Sequence, residues 1–310
     1  MSRNGNSAPG VIVRTERLTK TFAGIEALAG LTIEVPEGAV FALIGPNGAG
    51  KTTAIKTIMN IFRPTSGHAE VLGADSRALG RKQLSKIGYV SENQLIPEWM
   101  RVGHFLSYCR PFYPDWDDEE AAALIRLYEL PLDRTIKTLS RGMRVKAALA
   151  SSLAYRPRLI VLDEPFSGLD VLVREQLVES ILERTAESSV ILASHDLAEI
   201  ESFASHIAYL EGGTLQFVEE MGALSQRFRE IEVTLETAMD LPTEWPDRWL
   251  NPEQSSVVIR FIDSHFDRGR SEAEVRRLFP GVLDITTRSM SLRSIFVALA
   301  KPVRTGKSVR

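Results

Sequence analysis

"GPNGAGKTT", residues 45–53, decides the fold of this chain. It fits the pattern G-x-x-x-x-G-K-[ST]. Before it runs "AVFALIG", a continuous apolar stretch typical of a strand covered on both faces. After it, residues from about Lys51 to Phe62 read as a helix. A glycine-rich loop in that position lets backbone N–H groups curl around phosphate oxygens. The cradle would comprise Gly45, Pro46, Asn47, Gly48, Ala49, Gly50, Lys51, Thr52 and Thr53. Lys51 would reach the terminal phosphates as a cation, and the Thr52 hydroxyl suits Mg²⁺. A plain glycine turn is the bland alternative, and the strand–loop–helix order argues against it.

Two further apolar runs end in chemistry. "LIVLDEP" closes on Asp163 and Glu164, adjacent acids that are costly at a buried strand end unless they face a cation or water. Asp163 would hold hydrated Mg²⁺ and Glu164 would polarise an attacking water. "VILASHD" closes on His195. Open α/β sheets bind ligands at the carboxyl ends of their strands, which would set His195 beside Glu164, hydrogen-bonding a γ-phosphate. A satisfied structural histidine is the bland reading.

"LSRGMRVKAALA", residues 139–150, offers a second anion site. Ser140 suits a helix N-cap, and Gly142 bares backbone amides in the first turn. One chain thus carries two phosphate-seeking features.

Composition bounds what these can serve. The 310 residues suffice for about two domains on a prior of roughly 150 residues each. Apolar content is 44%, charged content 25% and net charge −3, so bulk binding to nucleic acid or anionic lipid is not indicated. The lone cysteine, Cys109, cannot form an internal disulfide and fits a reducing compartment as a packing residue. No signal peptide is visible, and no apolar run nears the roughly 20 residues of a membrane span. Work at a membrane would need another chain.

Along the chain, "VIVRTERLTKTF" and "LTIEVPEG" alternate like strands, and "HAEVLG" and "KIGYV" are short strands. Residues from about 95 to 156 read as mostly helical, with Asp117 as an N-cap. "HIAYLEGGTLQFV" reads as a hairpin turning at Gly212–Gly213. Composition shifts near residue 222 to "DLPTEWPDRWLNPEQSS", and a helix over Ser271–Phe279 ends before Pro280. The expected organisation is a polar tail at 1–10, an α/β domain at 11–221, a small α/β unit at 222–302 and a basic tail at 303–310.

In their order and spacing, "GPNGAGKTT", "LSRGM", "LIVLDEP", "SGLD" and "SHD" resemble the ATP-binding-cassette (ABC) ATPases, over about residues 11–220. The resemblance implies a P-loop core with an antiparallel β subdomain and a helical subdomain. It implies ATP and Mg²⁺ as ligands, and two cassettes, alike or different, sandwiching ATP head to tail. The signature helix of one would cap the γ-phosphate held by the other, which assigns Ser140, Arg141, Gly142 and Met143 to the partner's ATP. Asp170 would touch the opposing subunit, and Phe22 would stack under adenine. A multi-span permease would anchor the protein at the inner face of the cell membrane, on its cytoplasmic side. Export is a family-level leaning, toward bacterial ABC-2-type systems.

Three departures stand out. Arg141 and Met143 replace a signature glycine and glutamine, so Arg141 either adds charge near phosphate or points to solvent. Glu92 stands where the family has glutamine, as a metal contact in the closed state; alternatively Gln94 takes that role. "VGHFLSYCRPFYPDWDDEE" is aromatic-rich, either as subdomain core or as part of a groove for a permease helix. The C-terminal unit is either a packing extension or a regulatory or dimer-stabilising element.

A soluble ABC ATPase acting on nucleic acid or ribosomes is the rival function, though one cassette and no heptad run speak against it. A low-turnover regulatory subunit is the third, opposed by Glu164 and His195.

Overall fold

The computed structural model describes residues 10–92, 94–242 and 245–300. The expected tails therefore fall almost wholly outside the described residues. The chain forms two compact units: one runs to Asp196 and includes Phe203–Val218, and the other holds Leu197–Ser202 and the chain from Glu219 onward.

The first unit opens with strands β1 (Val11–Phe22) and β2 (Ile25–Pro36), then β3 (Val40–Ile44) and helix α1 (Lys51–Ile58). Next come β4 (Ser66–Val71), β5 (Ala74–Asp75), α2 (Arg81–Leu84) and β6 (Ile87–Ser91). Three main helices follow, α3 (Val102–Cys109), α4 (Asp118–Leu127) and α5 (Arg141–Leu153). The chain returns through β7 (Leu159–Asp163), α6 (Val171–Leu182) and β8 (Ser189–Ser194). After α7 (Leu197–Glu201) come β9 (His206–Glu211) and β10 (Thr214–Glu220).

β2, β1, β4 and β5 make one antiparallel sheet. Buried Thr15 bridges its first two strands, its Oγ1 donating to the Leu31 carbonyl (3.0 Å) and accepting from the Ile33 amide (3.0 Å). The second sheet has the order β10-β9-β3-β8-β7-β6. Every residue of β3, β7 and β8 is buried, as their unbroken apolar runs require of parallel strands covered on both faces. Parallel pairing sets Ile44 opposite Ser194 and Asp163 opposite Ala193. The loop at Gly45, the acids at Asp163–Glu164 and His195 therefore leave one edge of one sheet.

Helix ends follow their caps. The Asp117 carboxylate accepts from the Glu119 and Glu120 amides (2.9 and 3.0 Å) and starts α4. α1 stops at Ile58, short of the expected Phe62. Asn60 turns left-handed (φ 56°), and the Ile61 and Phe62 amides fold back onto the Lys56 carbonyl.

The second unit adds α8 (Met221–Arg227), β11 (Arg229–Leu235), β12 (Trp249–Ser255), β13 (Val258–Asp263), α9 (Arg268–Leu278), β14 (Val282–Ser289) and α10 (Leu292–Ala300). Its antiparallel sheet, β12-β13-β11-β14, buries Ile231, Val233, Trp249 and Phe261 with Val275 of α9. Asp263 is fully buried there; its carboxylate accepts from Trp249 Nε1 (3.1 Å), Ser271 Oγ (2.7 Å) and the His265 amide (2.9 Å). α9 begins at Arg268, three residues before the sequence expectation, because the Asp267 carboxylate caps it through the Arg270 amide. α7 joins this unit, and the Glu201 carboxylate accepts from the Leu292 amide at the start of α10 (2.9 Å).

Candidate active site

A cavity of about 450 Å³ opens at the carboxyl edge of the parallel sheet, lined by Asn47–Thr53, Ala27, Glu92, Glu164, Ser167 and His195. Its floor is the loop between β3 and α1. Gly45 has φ 153°, and a Cβ there would lie 2.1 Å from the Leu210 carbonyl oxygen. Gly50 has φ 101°, with the Ala27 carbonyl oxygen 2.6 Å from such a Cβ. Both positions demand glycine, because conformation and space each exclude a side chain.

Lys51 is 5% exposed. Its ammonium donates to the carbonyls of Gly45 (2.8 Å) and Pro46 (3.2 Å) and lies 3.2 Å from Glu164 Oε1. The other Glu164 oxygen, Oε2, is 2.8 Å from His195 Nδ1. Glu164 holds a left-handed backbone (φ 52°) that non-glycine residues rarely adopt; it turns the chain at the end of β7 and aims the side chain back across the sheet edge. Thr52 Oγ1 donates to Asp163 Oδ1 (2.7 Å). Burial raises the pKa of Asp163, opposed by the Thr52 hydrogen bond and by Lys56 and Lys51, and assisted by Glu164.

The hydroxyl–carboxylate pair of Thr52 and Asp163 is a hard-oxygen donor set facing the phosphate cradle. Mg²⁺ is commonly held by one or two carboxylates, with substrate phosphates and water completing the shell.

Glu92 reaches the same cavity after β6. Its Oε1 accepts from Arg141 (2.5 Å) and from Ser167 Oγ (3.2 Å). Arg141 thus points neither to solvent alone nor along the helix start; it turns to Glu92 and packs over Gly168, its Nη1 3.2 Å from where a Gly168 Cβ would be. Gln94 is absent from the cavity wall, and its Oε1 is buried without a hydrogen-bond partner among the described residues.

Other sequence-derived candidates lie outside this cavity. Ser140 caps α5, its Oγ accepting from the Met143 amide (3.3 Å). Gly142 packs beside Val173 and Leu169. Asp170 caps α6 through the Val173 amide (2.9 Å). Phe22 ends β1 at 39% exposed, with the Lys20 ammonium 4.8 Å from its ring centre and Phe62 edge-on at 5.2 Å. Ser167 and Ala27 were not singled out from sequence. Ser167 sits in "SGLD" one residue before a left-handed glycine, a signal available in the sequence; Ala27 has none.

The aromatic-rich stretch splits. Phe105 is core and Tyr113 stacks on Tyr155 (3.8 Å), while Tyr108 and Phe112 are exposed. Burial pushes the Cys109 thiol up to about 11, so it packs rather than reacts. The groove of this region lies elsewhere: about 530 Å³ between Val90–Glu92 with Gln94–Ile96 and Glu98 on one side and α5 on the other, walled by Leu95, Ile96, Arg144 and Val145.

A glycine loop running into a helix, an acid pair and a histidine at adjoining parallel strand ends define a P-loop nucleotide hydrolase. Residues 28–167 match the family described as ABC transporter. The chain is 30% identical to the daunorubicin/doxorubicin resistance ATP-binding protein DrrA of Streptomyces peucetius, over 95% of this chain and 94% of that protein. It is 28% identical to the ABC transporter ATP-binding protein YtrB of Bacillus subtilis (strain 168), over 74% of this chain and 79% of the relative. A solved ATP-binding subunit of an ABC transporter superposes with a TM-score of 0.64 at 25% identity, covering 69% of this chain and 92% of that one. The chain belongs to the family of ABC transporter ATP-binding proteins; it binds ATP and is an ATPase.

Proposed function

We propose that this chain energises export through a separate permease, working as a head-to-tail pair of cassettes, and that its own residues divide the work as follows. The amides of the Gly45–Thr53 loop and Lys51 receive the phosphates. Lys51 exchanges its contact with Glu164 for the terminal phosphate, which leaves the Glu164 carboxylate open to accept a proton from water. His195 holds Glu164 through Nδ1 and presents its other ring nitrogen to the γ-phosphate. Thr52 and Asp163 would hold Mg²⁺, which screens phosphate charge when bound. Phe22 offers its free ring face to adenine. Ser140, Gly142 and Met143 at the start of α5 cap the ATP of a second copy of this chain, and Asp170 lies at that contact.

The observation that carries this reading is the chain of contacts Gly45 carbonyl–Lys51–Glu164–His195, with Thr52–Asp163 beside it, at one sheet edge. Export is supported by the full-length likeness to a drug-resistance ATP-binding protein, since it includes the second unit. No helix among the described residues is long and apolar enough to cross a membrane, so a permease must be another chain or lie outside them. The groove beside α5, with Leu95 98% exposed at its lip, suits an inserted permease segment. Co-purification tests this: the chain should be retained by its membrane partner, and Leu95→Asp should abolish retention while ATP binding persists. Retention on ribosomes or nucleic acid instead would favour the rival function.

A further inference from the structure

Two departures from the family pattern meet each other. Glu92 puts an anion where the family carries a neutral glutamine, and Arg141 puts a cation where it carries glycine. They pair at 2.5 Å. Glu92 lies in the wall of a cavity that must accept a polyanion and already contains Glu164, whose chain neighbour Asp163 is buried. Glu164 has Lys51 and His195, and Asp163 has Thr52. The cation that meets Glu92 comes from the helical subdomain.

We propose that Arg141 is a positioning residue acting within its own chain: it neutralises Glu92 and holds it against Ser167, keeping the cavity receptive to ATP. The inference rests on the ATPase reading of this cavity. Both side chains are partly exposed, Arg141 at 48% and Glu92 at 31%, and such pairs add little to fold stability. The pair's weight is local. An uncompensated carboxylate in the wall repels the incoming phosphates, and repulsion across a partly buried cavity exceeds that in bulk water. The guanidinium also sits close to Gly168, its Nη1, Cζ and Nε 3.2, 3.3 and 3.6 Å from where a Cβ would be, so the ion pair and the loop contact favour the same Arg141 conformation. On this proposal Arg141 serves the cavity of its own chain rather than the partner's phosphate.

Binding of a fluorescent ATP analogue tests it, with and without Mg²⁺, at protein concentrations where sedimentation shows monomer. Arg141→Ala should weaken binding about 10-fold at low salt, and the loss should shrink toward twofold or less near 0.5 M salt, as screening shortens the reach of the charge. Arg141→Lys should keep most of the affinity. The double variant Glu92→Gln, Arg141→Ala should return to within about twofold of wild type, because removing the anion removes the need for the cation. Wild-type affinity in Arg141→Ala at low salt would overturn the inference. So would a double variant as weak as Arg141→Ala, since a packing role over Gly168 would not be rescued at Glu92. A wild-type chain binding no ATP would defeat the ATPase reading, and this inference with it.

Discussion

The two phosphate-seeking regions differ in how far one chain completes them. At residues 45–53 the polar groups already have partners: Lys51 has two carbonyls and Glu164, and Thr52 has Asp163. At residues 140–143 the helix start is capped only by its own Ser140, Arg141 has turned away to Glu92, and no member lines the nucleotide cavity. The first region is a site in itself. The second is a helix end with amide dipoles, packed beside Val173 and Leu169 and outside the cavity wall, and on the proposed reading its ligand arrives on another molecule. As proposed above, such a chain binds nucleotide alone and completes the phosphate shell in a pair.

The largest expected effect separates binding from turnover within the first region. Glu164→Gln keeps the size and the contact with His195 but loses the basic carboxylate. ATP binding should persist, and steady-state hydrolysis should fall by at least roughly 10²-fold. Near-normal phosphate release from that variant would remove Glu164 from the role of base.

Ser140→Arg breaks the second region alone. The monomer's affinity for ATP should stay near wild type, since Lys51 and the loop are untouched. Hydrolysis should fall to background, because a bulky cation displaces the cap. Loss of nucleotide binding by the monomer, measured by equilibrium dialysis, would mean that both regions serve one ATP in one chain.

The smallest effect concerns the cost of completing the first region. Burial raises the Asp163 pKa, so the folded chain holds that proton more tightly than the unfolded chain. Its contribution to stability is then present at pH below the ordinary carboxylate range and is lost as pH climbs through the raised value. Asp163→Asn should therefore stabilise the nucleotide-free protein near neutral pH, seen as a higher melting temperature than wild type. Hydrolysis should be lost in the same variant. Melting curves across pH check the sign: an Asn variant less stable than wild type at neutral pH would show that Thr52 and the lysines outweigh burial.

How much was legible beforehand follows the same division. Gly45–Thr53, Asp163, Glu164 and His195 could be read because buried parallel strands are unbroken apolar runs, and whatever polar residue ends them must sit at the sheet's carboxyl edge. The Asp117 and Ser140 caps were legible for a similar local reason. The meeting of Glu92 with Arg141 was not: 49 residues separate them, and both positions look like isolated departures until the subdomains are assembled. The joining of α7 to the second unit was hidden too, because it depends on a carboxylate at Glu201 reaching the start of α10, 91 residues away. The earlier start of α9 was within reach, since Asp267 is an ordinary capping residue.

On the proposed reading, the phosphate loop of one copy and the start of α5 of another enclose one ATP together. Sedimentation of Glu164→Gln, with and without ATP and Mg²⁺, tests it most directly. Glu164→Gln should be a monomer without nucleotide and a dimer holding one ATP per chain with it, lost again when Ser140→Arg is added. A variant that binds ATP to saturation and stays monomeric would contradict it.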